Sequence, residues 1–337
     1  MKILLISPTF SGIGGIAQHV QGLTKFLQNE GHEVEIISSE NTFTIPIKGL
    51  KNPSFMISSL IKSKFKKNFD IVHAHNIPSA LAMKNSSGKK ILTVHGIFSK
   101  QIGQIHNKLA ENISGKYEKD ALSWADAITT ISKESLDYYS RLGYDVNQIP
   151  NGIDLSTFEQ KSDRRFDKQI IYAGRLSKEK GSDTLLKICT KLNNDLDLII
   201  IGSGPEEQKF LDIKSKNNIH YIGSQSHEKA LSLIKGSDVL IQPSLSEGIS
   251  TTLLEAMSNK TSIITSSVGG NLELIKNLET GILIEPRNSQ VFVETINDLI
   301  QNESLRKKLT LCAFDKVKEY DWKNIGKKYL DLYESLL

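Results

Sequence analysis

Short, unbroken runs of Ile, Leu and Val, each followed by a stretch with helical spacing, recur along the whole chain. They fall at residues 2–7, 32–38, 70–74, 90–94, 127–131 and 148–150, and again at 169–173, 196–201, 219–222, 239–242, 262–265 and 281–284. A strand with one wet face alternates apolar and polar residues, whereas continuous runs mark strands covered by helices on both faces. Alternation of such strands with helices builds a parallel, doubly wound sheet, and two successive sets build two α/β domains. The length of 337 residues agrees, since a domain takes roughly 100–200. The break is expected within 151–167, where a turn-forming Asn151-Gly152 precedes a charged stretch. That gives an amino-terminal domain of 1–158 and a second domain of 159–321.

Composition narrows the class. With 39% hydrophobic and 24% charged residues, the chain is neither disordered, collagen-like nor coiled-coil. Cys189 and Cys312 are too few and too distant for a disulfide framework, which favours a reducing compartment. The opening Ile3-Leu4-Leu5-Ile6 is broken by Pro8, short of the roughly 7–15 apolar residues of a signal segment. No run approaches the ~20 residues of a membrane span, so a soluble, cytoplasmic protein is expected. The net charge of +4 sits in the first half. Lys48, Lys51, Lys62, Lys64, Lys66 and Lys67 fall between Glu40 and Asp70 with no acid among them. Residues 48–67 mix these lysines with apolar side chains, which suits either peripheral contact with an anionic inner membrane face or a solvated surface helix. Nucleic acid is not expected, because the charge is modest and no interleaved aromatic motif occurs.

Ligands of doubly wound sheets bind beyond the carboxyl ends of the strands, so residues just after the apolar runs are informative. The first such loop ends in Gly12-Ile13-Gly14-Gly15 and enters the helical segment that carries His19. Glycines at a helix start let backbone N–H groups approach a phosphate. Gly12, Gly14 and Ala17 also fit a dinucleotide fingerprint with Glu40 as ribose acceptor, but Pro8-Thr9-Phe10-Ser11 makes the loop too long for its tight turn. A plain glycine-rich connector is the bland alternative. In Gly174-Arg175…Lys180-Gly181, two cations converge on one helix start, which suits a diphosphate. Solvated surface charge is the alternative there. After the run 239–242 come Glu247, Gly248, Ile249 and Ser250, with Glu255 eight residues beyond Glu247. One carboxylate can accept sugar hydroxyls and the other can reach a ribose, or Glu247 and Ser250 simply cap the helix. Gly202-Ser203-Gly204-Pro205 and Gly223-Ser224-Gln225 occupy equivalent post-strand positions, as a wall for a nucleotide or as structural turns. His95-Gly96 places an imidazole at another strand end. Two tempting metal patterns carry little weight. His73 and His75 are expected to point to opposite faces and chelate poorly, and Asp195-Leu196-Asp197 precedes its strand instead of following it.

Taken together, Gly14-Gly15…His19, His95-Gly96, Gly174-Arg175…Lys180-Gly181, Gly202-Ser203-Gly204-Pro205, Glu247 and Glu255 seven residues between, then Val268-Gly269-Gly270 and Glu273, resemble the family 4 retaining glycosyltransferases. The resemblance runs from the first strand to Tyr320-Asp321-Trp322. It implies the GT-B fold, two Rossmann-like domains facing a central cleft, with a terminal helix at 322–337 packing back on the first domain. It further implies a UDP- or GDP-sugar donor and a glycan or lipid-linked acceptor. Arg175, Lys180, Glu247 and His95 would form the catalytic set. Gly14, Gly15, Gly174, Gly204, Gln225, Gly248, Ile249, Ser250 and Glu255 would bind the donor. No metal or other cofactor is implied, because fixed cations stand in for Mg²⁺ at the leaving diphosphate. Retention would follow from same-face attack, the leaving phosphate helping to deprotonate the acceptor.

Two other classes fit the same residues. A dinucleotide-dependent oxidoreductase or epimerase would use Gly12, Gly14, Ala17 and Glu40. A non-catalytic sugar-nucleotide sensor would keep every binding group and lack turnover.

Overall fold

The computed structural model describes residues 1–11, 14–47, 49–98, 108–157, 161–212 and 217–337. The chain divides into two compact units, one formed by Met1–Gly152 with Trp322–Leu337 and the other by Ile153–Asp321.

The first unit is built on six strands, β1 (Lys2–Ser7), β2 (Glu33–Ser38), β3 (Ile71–His75), β4 (Lys89–Val94), β5 (Ala127–Thr130) and β6 (Val146–Gln148). They pair in parallel in the order β2-β1-β3-β4-β5-β6. Alternate residues of β1 enter different cores: Ile3 and Leu5 pack with Ile71 and Ile91, Leu4 and Ile6 with Val72 and Leu92. Both faces are covered, which is why the run is apolar throughout; each fully buried side chain contributes about 1.5–3 kcal/mol. The last helix, Trp322–Leu336, completes the core that holds Ile3 by adding Trp322, Ile325, Tyr329 and Tyr333. It can lie against the helix Gly15–Asn29 because residue 22 is glycine; a Cβ there would stand 2.0 Å from Trp322 Nε1.

The second unit carries β7 (Gln169–Ala173), β8 (Asp197–Ile201), β9 (Ile219–Tyr221), β10 (Val239–Gln242), β11 (Ser262–Ser266) and β12 (Ile282–Ile284). Their order is β12-β11-β10-β7-β8-β9, again with parallel pairing. Leu198 and Ile200 face one core, Ile199 and Ile201 the other.

The unit boundary falls at Gly152, inside the expected span 151–167 and before the division drawn at residue 158. Ile153 is already captured by the second unit: its N–H donates to the Tyr320 carbonyl at 2.8 Å, and its side chain packs with Ile171 and Ile199. Residues 158–160 lie outside the described residues.

Strand order fixes where a ligand can bind. In the first sheet the chain runs outward from β1 to β2 and resumes on the other side at β3. In the second it runs from β7 to β9 and resumes beside β7 at β10. Such reversals open a crevice at the carboxyl ends of the two central strands.

Candidate functional site

The β7/β10 reversal gathers residues that lie far apart in sequence. After β7 the chain passes Gly174 and Arg175, makes a short 3-10 turn at Lys178–Lys180, and starts the helix Ser182–Lys191. Gly181 joins turn to helix with φ +73°, and a Cβ there would lie 1.8 Å from the Pro243 carbonyl oxygen. Only glycine satisfies both the left-handed backbone and that approach. Two backbone bonds tie this turn to the β10 loop, as the N–H groups of Leu245 and Ser246 donate to the Glu179 carbonyl. Beneath the loop, the buried Tyr172 hydroxyl donates to the Arg175 carbonyl at 2.9 Å. Its ionisation is pushed up by burial and by the neighbouring Glu247 and Glu179.

Lys180 and Glu247, 67 positions apart, form an ion pair at 2.6 Å. The Glu247 carboxylate is 4% exposed and also accepts from Gln242 Nε2 at 2.9 Å and Ser244 Oγ at 2.7 Å. A carboxylate offers about four lone-pair directions, and these three bonds leave about one for a further donor such as a sugar hydroxyl. Arg175 is far less constrained; its side chain is 63% exposed and reaches Glu179 only at 3.9 Å. The arrangement thus presents one anchored ammonium with a fixed acceptor beside it, and one exposed guanidinium on the same post-strand loop. Fixed cations with no reorganisation to undergo are what a departing diphosphate requires.

The capping alternative holds for Ser250 and fails for Glu247. Ser250 Oγ accepts from the Leu253 N–H at the start of the helix Thr251–Ser258, and it also bonds with the Gln242 amide. Ile249 is buried in the core under this turn, and the Gly248 carbonyl lies against Gly270. The Gly270 N–H donates to the Glu247 carbonyl at 3.1 Å, so the loop 268–270 braces the acid. Glu255, on the same helix, is buried and bonded to His227 Nε2 at 2.8 Å. That bond raises the His227 pKa against the opposing effect of burial. Gly204 rests on the Leu176 carbonyl. Gln225 turns its amide to the Ile222 carbonyl, and Ser224 Oγ donates to Ser203 Oγ at 2.8 Å, which joins the two post-strand loops. His227, Gln242 and Ser244 escaped the sequence reading. Their only local signal was position: Gln242 ends β10, Ser244 follows it, and His227 opens the helix after β9.

In the first unit, Gly14 caps the helix Gly15–Asn29 with an extended backbone and no side-chain bond. Gly12 lies outside the described residues. Glu40 does not wait for a ribose. Its carboxylate accepts from the N–H groups of Phe10 and Ser11 at 3.1 Å and from Ser11 Oγ at 3.2 Å, closing the first loop. Burial alone would raise its pKa, but bonds from Ser38, Phe10 and Ser11 pull it down to about 2.

The histidines depart from expectation. Residues two apart on a strand share a face, so His73 and His75 do not diverge; their ring centroids are 4.2 Å apart. His73 bonds with the Tyr333 hydroxyl and Thr93 Oγ1, each at 2.6 Å. His75 Nδ1 lies 3.3 Å from His95 Nε2, and the His95 N–H donates to Asn76 Oδ1. His19 donates from Nδ1 to Asn151 Oδ1 at 3.1 Å and meets the Tyr329 hydroxyl through Nε2 at 3.2 Å. Burial lowers the pKa of all four; it brings His19 to about 4 against the Asn151 bond and holds His73, His75 and His95 well below the ordinary value. Asp195 and Asp197 sit at the amino end of β8, paired with Lys168 and His220 and away from the β7/β10 crevice.

Known proteins place this geometry. The family description Glycosyltransferase Family 4 matches residues 13–157, and Glycosyl transferases group 1 matches residues 156–313. The phosphatidylinositol N-acetylglucosaminyltransferase GPI3 subunit of Saccharomyces cerevisiae is 27% identical over 96% of this chain and 80% of its own. Sucrose-phosphate synthase from Thermosynechococcus elongatus superposes with a TM-score of 0.83 at 20% identity, covering 99% of this chain and 98% of that one. Anabaena HepE, solved in complex with UDP-glucose, superposes at 0.76 and 16% identity over 100% of both chains. The two α/β units, with their paired reversals, are those of the GT-B fold, and the chain belongs to the family 4 glycosyltransferases.

Proposed function

We propose that this chain transfers a hexosyl group from a nucleotide-diphosphate sugar, UDP- or GDP-linked, to a glycan or lipid-linked acceptor, with retention at the anomeric carbon and without a metal. The Lys180–Glu247 pair beside Arg175 carries the reading. Arg175 and Lys180 hold the diphosphate and oppose the charge that grows on it as the glycosidic bond breaks, which is where such contacts accelerate a reaction. Glu247 takes a hydroxyl of the transferring sugar and Glu255 the ribose, with His227 holding the Glu255 carboxylate in place. Gln225 and Gly204 wall the nucleotide. Gly14, Gly15 and His95 of the first unit belong to the same proposal. HepE binds UDP-glucose and the yeast relative is named for transfer to a phosphatidylinositol, and both agree with this donor and acceptor chemistry.

The oxidoreductase reading loses its ribose acceptor, because Glu40 is spent on closing its own loop. The purified protein treated with chelator is expected to show saturable thermal stabilisation by UDP or GDP and none by NADH, and slow hydrolysis of one nucleotide-sugar that falls at least a hundredfold in Arg175→Ala. Hydrolysis equal in both proteins, or absent from both, sinks the transferase mechanism; the latter outcome leaves a sensor.

Membrane contact forms part of the proposal. No helix among the described residues is long and apolar enough to cross a membrane. The helix Lys51–Ser63 nevertheless leaves Ile57 and Ile61 exposed, as are Phe43 and, just beyond its end, Phe65 at 83%. Lys62 and Lys66 are engaged with Asn41 and Glu35, while Lys64 and Lys67 stand exposed; Lys48 lies outside the described residues. Each lysine near an anionic surface is worth about 1 kcal/mol, so Lys64→Ser/Lys67→Ser should weaken binding to phosphatidylserine vesicles roughly thirtyfold. Vesicle sedimentation unchanged by that variant and by Ile57→Ser/Ile61→Ser would remove the membrane from the proposal.

A further inference from the structure

We propose that His19, His75 and His95 bind a transition ion of the zinc class, and that its occupation withdraws His95 from sugar transfer. The three side chains come from different elements, the helix after β1, the end of β3 and the loop after β4. The strand order makes these three strands neighbours. One nitrogen of each lies within 4.8 Å of the other two. Ring centroids are separated by 5.0 Å for His19–His95, 5.4 Å for His19–His75 and 5.6 Å for His75–His95. Around a tetrahedral ion with metal–nitrogen distances of about 2.0–2.1 Å, imidazole centroids stand roughly 5 Å apart and ligand nitrogens about 3.4 Å apart. The first spacing is close to that already present, and the second matches the 3.3 Å between His75 Nδ1 and His95 Nε2.

A further observation points to a ligand. His19 already donates its Nδ1–H to the Asn151 side-chain carbonyl, the outer contact that fixes a metal-binding histidine with its other nitrogen free to ligate. Binding exchanges the Tyr329 hydroxyl at His19 Nε2 for the ion. An all-imidazole donor set selects zinc, copper or nickel over magnesium and calcium, which require oxygen. Three protein ligands leave a fourth position for water or an anion. The ion is no cofactor of transfer in this scheme. It competes for His95, and that inhibitory part rests on the proposed function.

Cobalt(II) added to chelator-stripped full-length protein is expected to give intense visible absorption bands of a four-coordinate site at one equivalent. Zinc should displace it, and excess magnesium should not. His95→Asn should weaken zinc binding at least a hundredfold, measured by competition with a chromophoric chelator, and Asn151→Ala tenfold to a hundredfold, as outer-contact losses do. Because His75 is buried, these two variants carry the test, with circular dichroism confirming that they fold. The amino terminus and His32 Nδ1, 3.2 Å apart, are a rival chelate. Binding lost in His32→Gln and kept in His95→Asn overturns the proposal, as do weak six-coordinate bands. Zinc inhibition of transfer at the concentration that half-fills the site supports the inhibitory part. Binding without inhibition keeps the site and overturns the role given to His95.

Discussion

Lys180→Met is expected to slow sugar transfer by about 10²–10³ and to destabilise the second unit by about 2 kcal/mol. The rate effect is that of removing one preorganised charge from a developing anion. The stability effect has a different origin. Glu247 is 4% exposed, and without the ammonium at 2.6 Å its charge is left buried. Breaking an enclosed pair costs about 3–5 kcal/mol, and the 30% exposure of Lys180 lowers that to about 2. The double variant Lys180→Met/Glu247→Gln separates the two. An amide keeps an acceptor for Gln242 and Ser244 and has no charge to strand, so stability returns while activity does not. Urea midpoints and single-turnover rates read the two effects independently. A wild-type turnover rate in Lys180→Met would end its assignment to the diphosphate.

Acid should unfold the first unit of the metal-free protein between about pH 6 and 4. His19, His73 and His75 are buried and neutral when folded, with their pKa values lowered mainly by burial, His19 to about 4. The unfolded chain, with ordinary histidines near 6.5, binds up to three more protons in this window. Stability is therefore retained above about pH 6.5 and falls as the pH drops, by about 4 kcal/mol per pH unit for three such groups. A total stability of about 5–15 kcal/mol is exhausted within a few units. Both tryptophans, Trp124 and Trp322, belong to the first unit, so their emission reports on it alone. A red shift should accompany acidification to pH 4. Unchanged emission at that pH would show that these imidazoles are not held neutral by burial.

Much of this was legible in the chain itself. The strands were readable because both sheet faces are covered, which leaves continuous apolar runs with no polar alternation. Arg175, Lys180 and Glu247 stood out as candidates because ligands of parallel sheets gather at strand ends, and Glu255 by its spacing from Glu247. The partners of those residues did not. Nothing local links Lys180 to Glu247, or Glu255 to His227, since each pairing spans many residues and depends on which strands are adjacent. Glu40 looked available as an acceptor because its donors, the N–H groups of Phe10 and Ser11, carry no side-chain signature. His73 and His75 were assigned to opposite faces although a strand repeats every two residues.

What the amino-acid order determined alone was the alternation of strand and helix, the doubly wound class and which loops follow the strands, because these depend on spacings of a few residues. Tertiary structure decided which loops meet. By seating β10 beside β7 and β1, β3 and β4 side by side, it turned separate charges into an ion pair and scattered histidines into a cluster. Side-chain pairing is set by strand order in space, and strand order is a property of the folded sheet as a whole.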